Sequence, residues 1–181
     1  MSRLSVYNES QPDRPLVETN DFERIASELG AAGIQFERWE AGQDLPDDAD
    51  SDTIIAAYRN EIDRLIEERG YKTFDVVSMT PDHPDKDAFR GKFLEEHTHS
   101  EDEVRFFVRG QGLFVIHVDG KVYSMLCERD DLISVPANTR HWFDMGPNPS
   151  FTAIRVFNNP EGWVAKFTGD KIAARFPLLS N

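Results

Sequence analysis

Four side chains in the second half of the chain have the types and the spacing of a metal site. His97 and His99 are separated by one residue, Glu103 follows four residues after His99, and His141 lies beside two aromatic residues. In an extended chain, residues i and i+2 point to the same face, so both imidazoles of the pair can reach one ion. Neutral imidazole together with carboxylate suits Fe, Ni, Zn or Mn. The one cysteine, Cys127, excludes a cysteine-rich zinc or redox site.

Short runs of β-type residues, separated by turn signals, make up the part of the chain that must position these side chains. Gly110-Gln111-Gly112 and Asp119-Gly120 stand between runs, as hairpin turns do. Many short strands at this spacing predict a sandwich or a small barrel. The predicted strands cover residues 104–109, 113–118, 121–127, 132–135 and 151–157.

The first half of the chain alternates helical and extended signals. Thr19-Asn20-Asp21 predicts the start of a helix, and apolar residues at helical spacing predict one long helix over residues 51–69. Strands are expected at residues 4–7, 34–39 and 73–79, and a short helix at residues 85–93. We therefore expect one domain over residues 1–181, mainly β with flanking helices (α+β), with a barrel core at about residues 73–157 and helices packed outside it.

Composition excludes several classes of partner. The chain has 181 residues, 20 Lys and Arg, and 33 Asp and Glu, which gives a formal net charge of −13. Such a charge repels phosphate backbones and anionic membrane surfaces, so no nucleic acid and no membrane partner is expected. No apolar run approaches the ~20 residues that span a bilayer. The N-terminal residues lack the apolar segment of a secretory signal, so a cytoplasmic location is expected, and the strong charge favours a monomer.

The metal-site residues also carry a family resemblance. Gly91, His97, His99, Glu103 and Gly110 match the first cupin motif at each signature position. The second cupin motif keeps its Pro and His and has Asn where a Gly is usual, and Asn tolerates the left-handed backbone that a Gly would supply. These three residues are Pro136, His141 and Asn138.

Longer blocks resemble the bacterial acireductone dioxygenases more specifically. The blocks cover residues 97–108, 136–146, 151–155 and 159–163, in order along the chain, with Phe36-Glu37-Arg38-Trp39 in the amino-terminal half. The resemblance implies a cupin fold, which is a double-stranded β-helix or jelly-roll barrel. It also implies one Fe(II) or Ni(II) per chain, bound by His97, His99, Glu103 and His141.

The resemblance implies a reaction as well. Enzymes of this family add O2 to acireductone, 1,2-dihydroxy-5-(methylthio)pent-1-en-3-one, in methionine salvage. With Fe(II) the products are formate and 4-methylthio-2-oxobutanoate, and with Ni(II) they are formate, CO and 3-methylthiopropanoate. Four protein ligands on a six-coordinate ion leave two positions for a bidentate ene-diolate, which the metal holds as a Lewis acid and template.

Six further residues receive roles in this interpretation. Glu101, two residues from both His99 and Glu103, is expected on the same face as these ligands if the chain stays extended, and it is the candidate base that removes a substrate proton. Arg105 and Arg155 are candidates to neutralise and orient the anionic substrate through paired hydrogen bonds. The apolar wall that receives the methylthio tail is expected to be formed by Phe93, Phe143 and Trp163.

Other interpretations of the same residues stay open at this point. An isomerase, or a dioxygenase of a different diol, would keep the ligands without using the two arginines as clamps. A non-catalytic sensor would use the barrel pocket without turnover. Taken singly, Glu101 could be a solvated charge, Arg155 could pair with a surface acid, and Phe143 and Trp163 could be core residues.

Overall fold

The computed structural model describes residues 1–181 apart from the side chain of Pro160. Its elements are, in chain order, β1 (Arg3–Asn8), β2 (Pro15–Thr19), α1 (Phe22–Ala31), β3 (Gln35–Arg38), α2 (Ser51–Ala57), α3 (Arg59–Arg69), β4 (Thr73–Met79), α4 (Lys86–Leu94), β5 (His97–Thr98), β6 (Glu103–Val118), β7 (Lys121–Glu128), β8 (Asp131–Val135), β9 (Arg140–Asp144), β10 (Phe151–Phe157) and β11 (Lys166–Phe167). Two short 3-10 turns lie at Pro160–Trp163 and Ile172–Arg175.

The strands form two antiparallel layers that share β6. One layer has the order β11-β5-β9-β6-β7-β1-β2, and the other has the order β3-β8-β6-β10-β4. The apolar core between them is rich in aromatic side chains, among them Phe107, Phe114, Phe143 and Phe151. This arrangement confirms the expected mainly β, jelly-roll cupin architecture with helices outside. None of the helices in the described chain is long and apolar enough to cross a bilayer.

The hairpin expected at residues 110–112 is wrong, because β6 runs unbroken through these residues. Gly110 has φ +75°, and a Cβ built on it would lie 1.9 Å from the carbonyl oxygen of Ser150. The glycine therefore allows a close backbone approach where the strand changes partners. Before it, β6 pairs with β8 and β10, and after it β6 pairs with β7 and β9. By contrast, the Asp119-Gly120 turn is confirmed, with φ of 51° and 76°.

The prediction of one continuous helix over residues 51–69 is also wrong. It is divided at Tyr58, whose φ of −112° and ψ of 14° separate α2 from α3. The Tyr58 ring is buried and lies 4.6 Å from the ring of Phe106 in β6, between centroids. The Ala57 carbonyl accepts a hydrogen bond from Gly42 N–H at 2.7 Å, outside the helix. Packing against the sheet and this loop contact thus override helical periodicity.

The remaining expected elements agree with the structure to within a residue or two. The Asp21 side chain caps α1 by accepting from Arg24 N–H, and β1, β3, β4 and α4 lie where the pattern placed them. Strand β9 was not among the predicted runs, although it carries His141. Helix α4 packs against β9, so it lies close to the candidate ligands.

Candidate metal centre

The three candidate histidine ligands come from two neighbouring strands and the bend that follows one of them. His97 in β5 stands directly opposite His141 in β9, and His99 lies in the bend between β5 and β6. The three ring centroids are 4.6 to 5.1 Å apart. One ring nitrogen from each residue lies within 4.8 Å of the others, and all three side chains are buried. The sequence-predicted histidines therefore meet at one point.

Each of these rings contacts a backbone carbonyl through its Nδ1 atom. The partner is the Glu95 oxygen for His97 at 2.7 Å, and the Thr139 oxygen for His141 at 2.8 Å. His99 reaches the Val164 oxygen at 3.4 Å. A carbonyl only accepts, so Nδ1 of each ring carries a proton, and Nε2 is the nitrogen left to face the other candidate ligands. Such outer contacts fix the tautomer and the ring orientation of metal-binding histidines.

Glu103 completes the cluster at the start of β6. Its Oε2 atom lies 2.8 Å from His141 Nε2 and 3.2 Å from His99 Nε2, and its Oε1 atom lies 3.0 Å from Arg105 Nε. Burial raises the pKa of Glu103, but Arg105 and the two histidines outweigh it, so the pKa lies well below its usual range. The residue is therefore a carboxylate at neutral pH.

The ionisation of His97 is also suited to metal binding. Burial, followed by the neighbouring His141, lowers the pKa of His97 to about 4. The ring is then neutral over the physiological range, which is the form that binds a metal. Three imidazoles that meet at one point, with the Glu103 carboxylate beside two of them, fit a divalent transition metal.

The turn between β8 and β9 holds the two ligand-bearing segments together. Asn138, in this turn, adopts φ 64°, as expected for the residue that replaces the motif glycine. Asp130, which directly precedes β8, also has a positive φ, 76°. Asn138 N–H donates to the His99 carbonyl at 2.8 Å. Ala137 N–H donates to Asp102 Oδ1 at 2.9 Å. The second cupin motif thus supports the bend that carries His99.

Asp102 has further contacts that the sequence did not predict. Its Oδ2 atom accepts from the Tyr71 hydroxyl at 2.8 Å, and its carbonyl accepts from Trp163 Nε1 at 3.3 Å. Burial and the Asp102 hydrogen bond raise the pKa of Tyr71 to about 12. Asp102 therefore ties the bend before Glu103 to two distant parts of the chain.

Charged side chains lie in a row across three strands beside the cluster. Arg105 of β6 stands opposite Arg155 of β10, which in turn stands opposite Asp75 of β4. Asp75 binds Arg155 in a bidentate pair, at 2.8 Å from Nε and 2.5 Å from a terminal nitrogen. Among the described residues, buried Arg105 Nε has no hydrogen-bond partner of good geometry. Burial lowers the pKa of Arg105, against the effect of Glu103.

Two adjoining cavities open beside these arginines. The metal-side cavity, of about 390 Å³, is lined by His99, Glu103, Trp163, Val164, Ala165 and Phe167 together with four residues that it shares. The apolar cavity, of about 370 Å³, is lined mainly by Val77, Met79, Phe89, Phe143, Met145 and Phe151 with the same four residues. The shared residues are Lys92, Phe93, Arg105 and Arg155. The three expected wall residues therefore line these cavities: Phe93 lines both, Phe143 the apolar cavity and Trp163 the metal-side cavity.

Glu101 has a different position from the one that strand parity suggested. Residues 99–102 lie outside the strands and bend at residues 100 and 101, so alternation does not carry from His99 to Glu103. The Glu101 side chain packs against Gly162, where an added Cβ would lie 2.0 Å from Glu101 Cγ. Glu101 is not among the residues that line either cavity in the described chain. Its assignment as the base stays a prediction.

Sequence reasoning missed Asp75, Tyr71, Asp102 and Lys92 as parts of this region. Asp75 carried a usable signal, since an acid in the middle of an otherwise apolar predicted strand is uncommon. The other three act through contacts that are distant along the chain, which spacing alone does not reveal.

A jelly-roll barrel with three buried histidines and a carboxylate converging beside a cavity defines a cupin-type, metal-dependent enzyme. Comparison with known proteins narrows this class. The family model described as "ARD/ARD' family" matches residues 3–165. The chain belongs to the ARD/ARD' family.

Individual relatives agree with this placement over the full length. A curated protein of Pseudomonas aeruginosa named "Acireductone dioxygenase" is 61% identical over 181 residues, with 100% of both chains covered. A protein of the same name from Alcanivorax borkumensis is 60% identical over 179 residues, 99% of both chains. The solved structure of acireductone dioxygenase from Bacillus anthracis, described with a cadmium ion in its active center, has a TM-score of 0.79 and 31% identity. It covers 92% of this chain and 98% of that one.

Proposed function

We propose that this chain is an acireductone dioxygenase whose single metal ion is held by His97, His99, Glu103 and His141. The observation that carries the proposal is the meeting of three buried histidines, whose facing ring nitrogens lie within 4.8 Å of one another while each Nδ1 faces a carbonyl. Glu103 lies beside two of them, His99 and His141. The full-length relatives of the same name support it. The cadmium ion in the active center of the Bacillus anthracis enzyme supports a cation in the corresponding place.

The metal proposed here is Fe(II) or Ni(II), one per chain. When bound, it would supply a Lewis acid that keeps an ene-diolate deprotonated. The same four ligands suit either ion, so the proposed products follow the metal. Formate and 4-methylthio-2-oxobutanoate are proposed with Fe(II), and formate, CO and 3-methylthiopropanoate with Ni(II). We also propose that O2 is the second substrate, that the enzyme is a monomer, and that it works in the cytoplasm.

The side chains around the ligands have separate tasks in this proposal. Arg105, whose side chain is 13% exposed, offers its guanidinium to the anionic substrate, and Arg155, oriented by its bidentate pair with Asp75, offers its remaining donors. Glu101, which packs against Gly162 next to Trp163 of the metal-side wall, takes up a substrate proton. The apolar cavity beside Phe93 and Phe143 receives the methylthio tail, and Trp163 forms part of the metal-side wall.

The first experiment follows the loss of acireductone in air through its ultraviolet absorbance. Apo-protein reloaded with Fe(II) is compared with apo-protein alone, and product analysis with Fe(II) and then Ni(II) follows. We expect rapid loss only with metal. Absence of acceleration, with metal confirmed as bound, would contradict the substrate assignment and leave the metal centre in place.

Two variants separate the metal ligands from the proposed base. His99→Ala is expected to lose both metal and turnover. Glu101→Ala should keep the metal and lose roughly 10²- to 10⁴-fold in rate, the usual contribution of a general base. Glu23→Ala, in the exposed first turn of α1, serves as the matched surface control and should leave both unchanged. Full turnover in Glu101→Ala would remove Glu101 from the mechanism.

A further inference from the structure

A buried acid–histidine pair lies outside the ligand set. Glu96 and His117 are only 1% and 3% exposed, and Glu96 Oε2 lies 2.6 Å from His117 Nδ1. His117 belongs to β6 and Glu96 directly precedes His97 in β5. A buried carboxylate destabilises a fold unless it is paired and hydrogen-bonded, so each contact of Glu96 is significant.

The pair lies behind the metal-bearing strands. Within the layer β5-β9-β6, His97 stands opposite His141 and His141 stands opposite Ile116, so these three side chains share the inner face. Because adjacent residues of a strand point to opposite faces, Glu96 and His117 belong to the outer face. The carboxylate therefore approaches the strand from the side opposite to the proposed metal.

The second oxygen of Glu96 ties this strand to the C-terminal segment. Thr168 Oγ1 donates to Glu96 Oε1 at 2.8 Å, and Thr168 N–H donates to the Glu96 carbonyl at 3.1 Å. The preceding residue, Phe167 of β11, pairs with His97 itself. The same segment carries the Val164 carbonyl that His99 contacts. Glu96 thus holds together two strands and the segment that supports two candidate ligands.

We propose that Glu96, held by His117 and Thr168, is a positioning residue that fixes His97 for metal binding from the outer face of the barrel. This inference rests on the proposed metal centre. Both carboxylate oxygens and the backbone carbonyl of Glu96 have hydrogen-bond partners, so the backbone before His97 has little freedom. The Glu95 carbonyl therefore stays in place to accept from His97 Nδ1.

Glu9 provides a matched comparison for the same imidazole. Its carboxylate contacts His117 Nε2 at 2.7 Å, but its side chain is 48% exposed and has no link to the ligand strand among the described contacts. Both ring nitrogens of His117 therefore face carboxylates. Removing either acid takes one carboxylate contact from the His117 ring, but only Glu96 connects that ring to His97.

The test measures the dissociation constant of Ni(II) by competition with a chelator. The variants are Glu96→Gln and Thr168→Val, and the matched controls are Glu9→Gln and Thr168→Ser. Outer contacts of metal-bound histidines typically contribute about 10- to 100-fold in affinity. We expect a loss of that size for Glu96→Gln, a smaller loss for Thr168→Val, recovery in Thr168→Ser, and less than about threefold change in Glu9→Gln.

Apo-protein melting temperatures, measured in parallel, separate positioning from plain stabilisation. A lower melting temperature with unchanged Ni(II) affinity in Glu96→Gln would overturn the proposal, and so would equal affinity losses in Glu96→Gln and Glu9→Gln. If Glu96→Gln does not fold, Thr168→Val against Thr168→Ser decides the question. Failure of the unmodified chain to bind Ni(II) would instead contradict the metal centre itself.

Discussion

The orientation of the candidate histidine ligands depends on backbone oxygen atoms that belong to residues outside the ligand set. A His-x-His pair gives two imidazoles on one side of the chain, but each ring has two nitrogens that could face an ion. The backbone oxygens of Glu95, Thr139 and Val164 each take one nitrogen, and leave Nε2 of the three rings directed to a common point. The ligand set therefore works as a unit only when three unrelated carbonyls are in place.

Tyr71 gives a pH-dependent prediction for a single residue. Its pKa is raised from 10 to about 12, first by burial and then by the bond to Asp102. Between these values the unfolded chain releases the proton while the folded chain retains it. Folding stability from this group is thus complete below pH 10 and is lost as pH rises through about 12, by about 3 kcal/mol in total.

Urea unfolding of the apo-protein at pH about 9 and about 11 measures this effect. The unmodified chain should lose more stability between the two conditions than Tyr71→Phe, which cannot ionise. Tyr71→Phe should also be less stable at pH about 9 by roughly 1 kcal/mol, because it lacks the bond to Asp102. Equal pH slopes in the two proteins would show that Tyr71 ionises as it does in the unfolded chain.

At the scale of the element, the length of β6 decides which residues share a sheet. Its first part pairs with β8 and β10 and places Glu103 and Arg105 beside the ligands. Its second part pairs with β7 and β9 and aligns Ile116 with His141. One strand therefore links the carboxylate ligand to the strand of the last histidine, and its partners change at Gly110, where the backbone of Ser150 approaches closely.

Gly110→Ala is expected to destabilise the protein by about 3 kcal/mol or more, because it combines a left-handed backbone with a backbone clash. The added Cβ would lie 1.9 Å from Ser150 O at φ +75°. Gly30→Ala is the matched control, since nothing lies within 4 Å of its Cβ position. In helix α1 that change should be neutral or stabilising by up to about 1 kcal/mol. Urea midpoints compare the two, and similar values would refute the role of Gly110.

At the scale of the whole molecule, Asp144 connects three distant parts of the chain around the site. This buried carboxylate in β9 accepts from Arg90 of α4, from Gly146 N–H and from Leu179 N–H in the C-terminal segment, with closest contacts of 2.8 Å. Helix α4 also carries Lys92 and Phe93, which line both cavities. The positions of Lys92 and Phe93 in the cavity wall thus depend on the contact between Asp144 and helix α4, a contact that lies outside both cavities.

Asp144→Asn should lower the free energy of unfolding by about 3 to 5 kcal/mol, as expected when a buried ion pair loses one charge. The control is Asp63→Asn, the same chemical change in the Arg59–Asp63 pair, where both side chains are 54% exposed. There we expect a loss of less than about 0.5 kcal/mol. Denaturant unfolding measures both. A small effect at Asp144 would mean that the three parts are held by other contacts.

The sequence by itself was sufficient for features that depend on neighbours along the chain. The spacing of His97, His99 and Glu103, the left-handed residue at Asn138 and the Asp119-Gly120 turn follow from local backbone rules. The cupin fold follows from the regular series of short strands together with the resemblance. These features could be predicted because each requires only a few consecutive residues.

Only the tertiary structure decided where a strand or helix continues, where it is interrupted, and which side chains of distant segments come into contact. Glycines at 110 and 112 look like a hairpin until Ser150 is placed beside them, and helical periodicity continues past Tyr58 until Phe106 packs against it. The bend at residues 100 and 101 likewise moves Glu101 away from the face that alternation assigns. Local rules specify the preferences of a segment, whereas close packing between distant segments selects the conformation that fills the core.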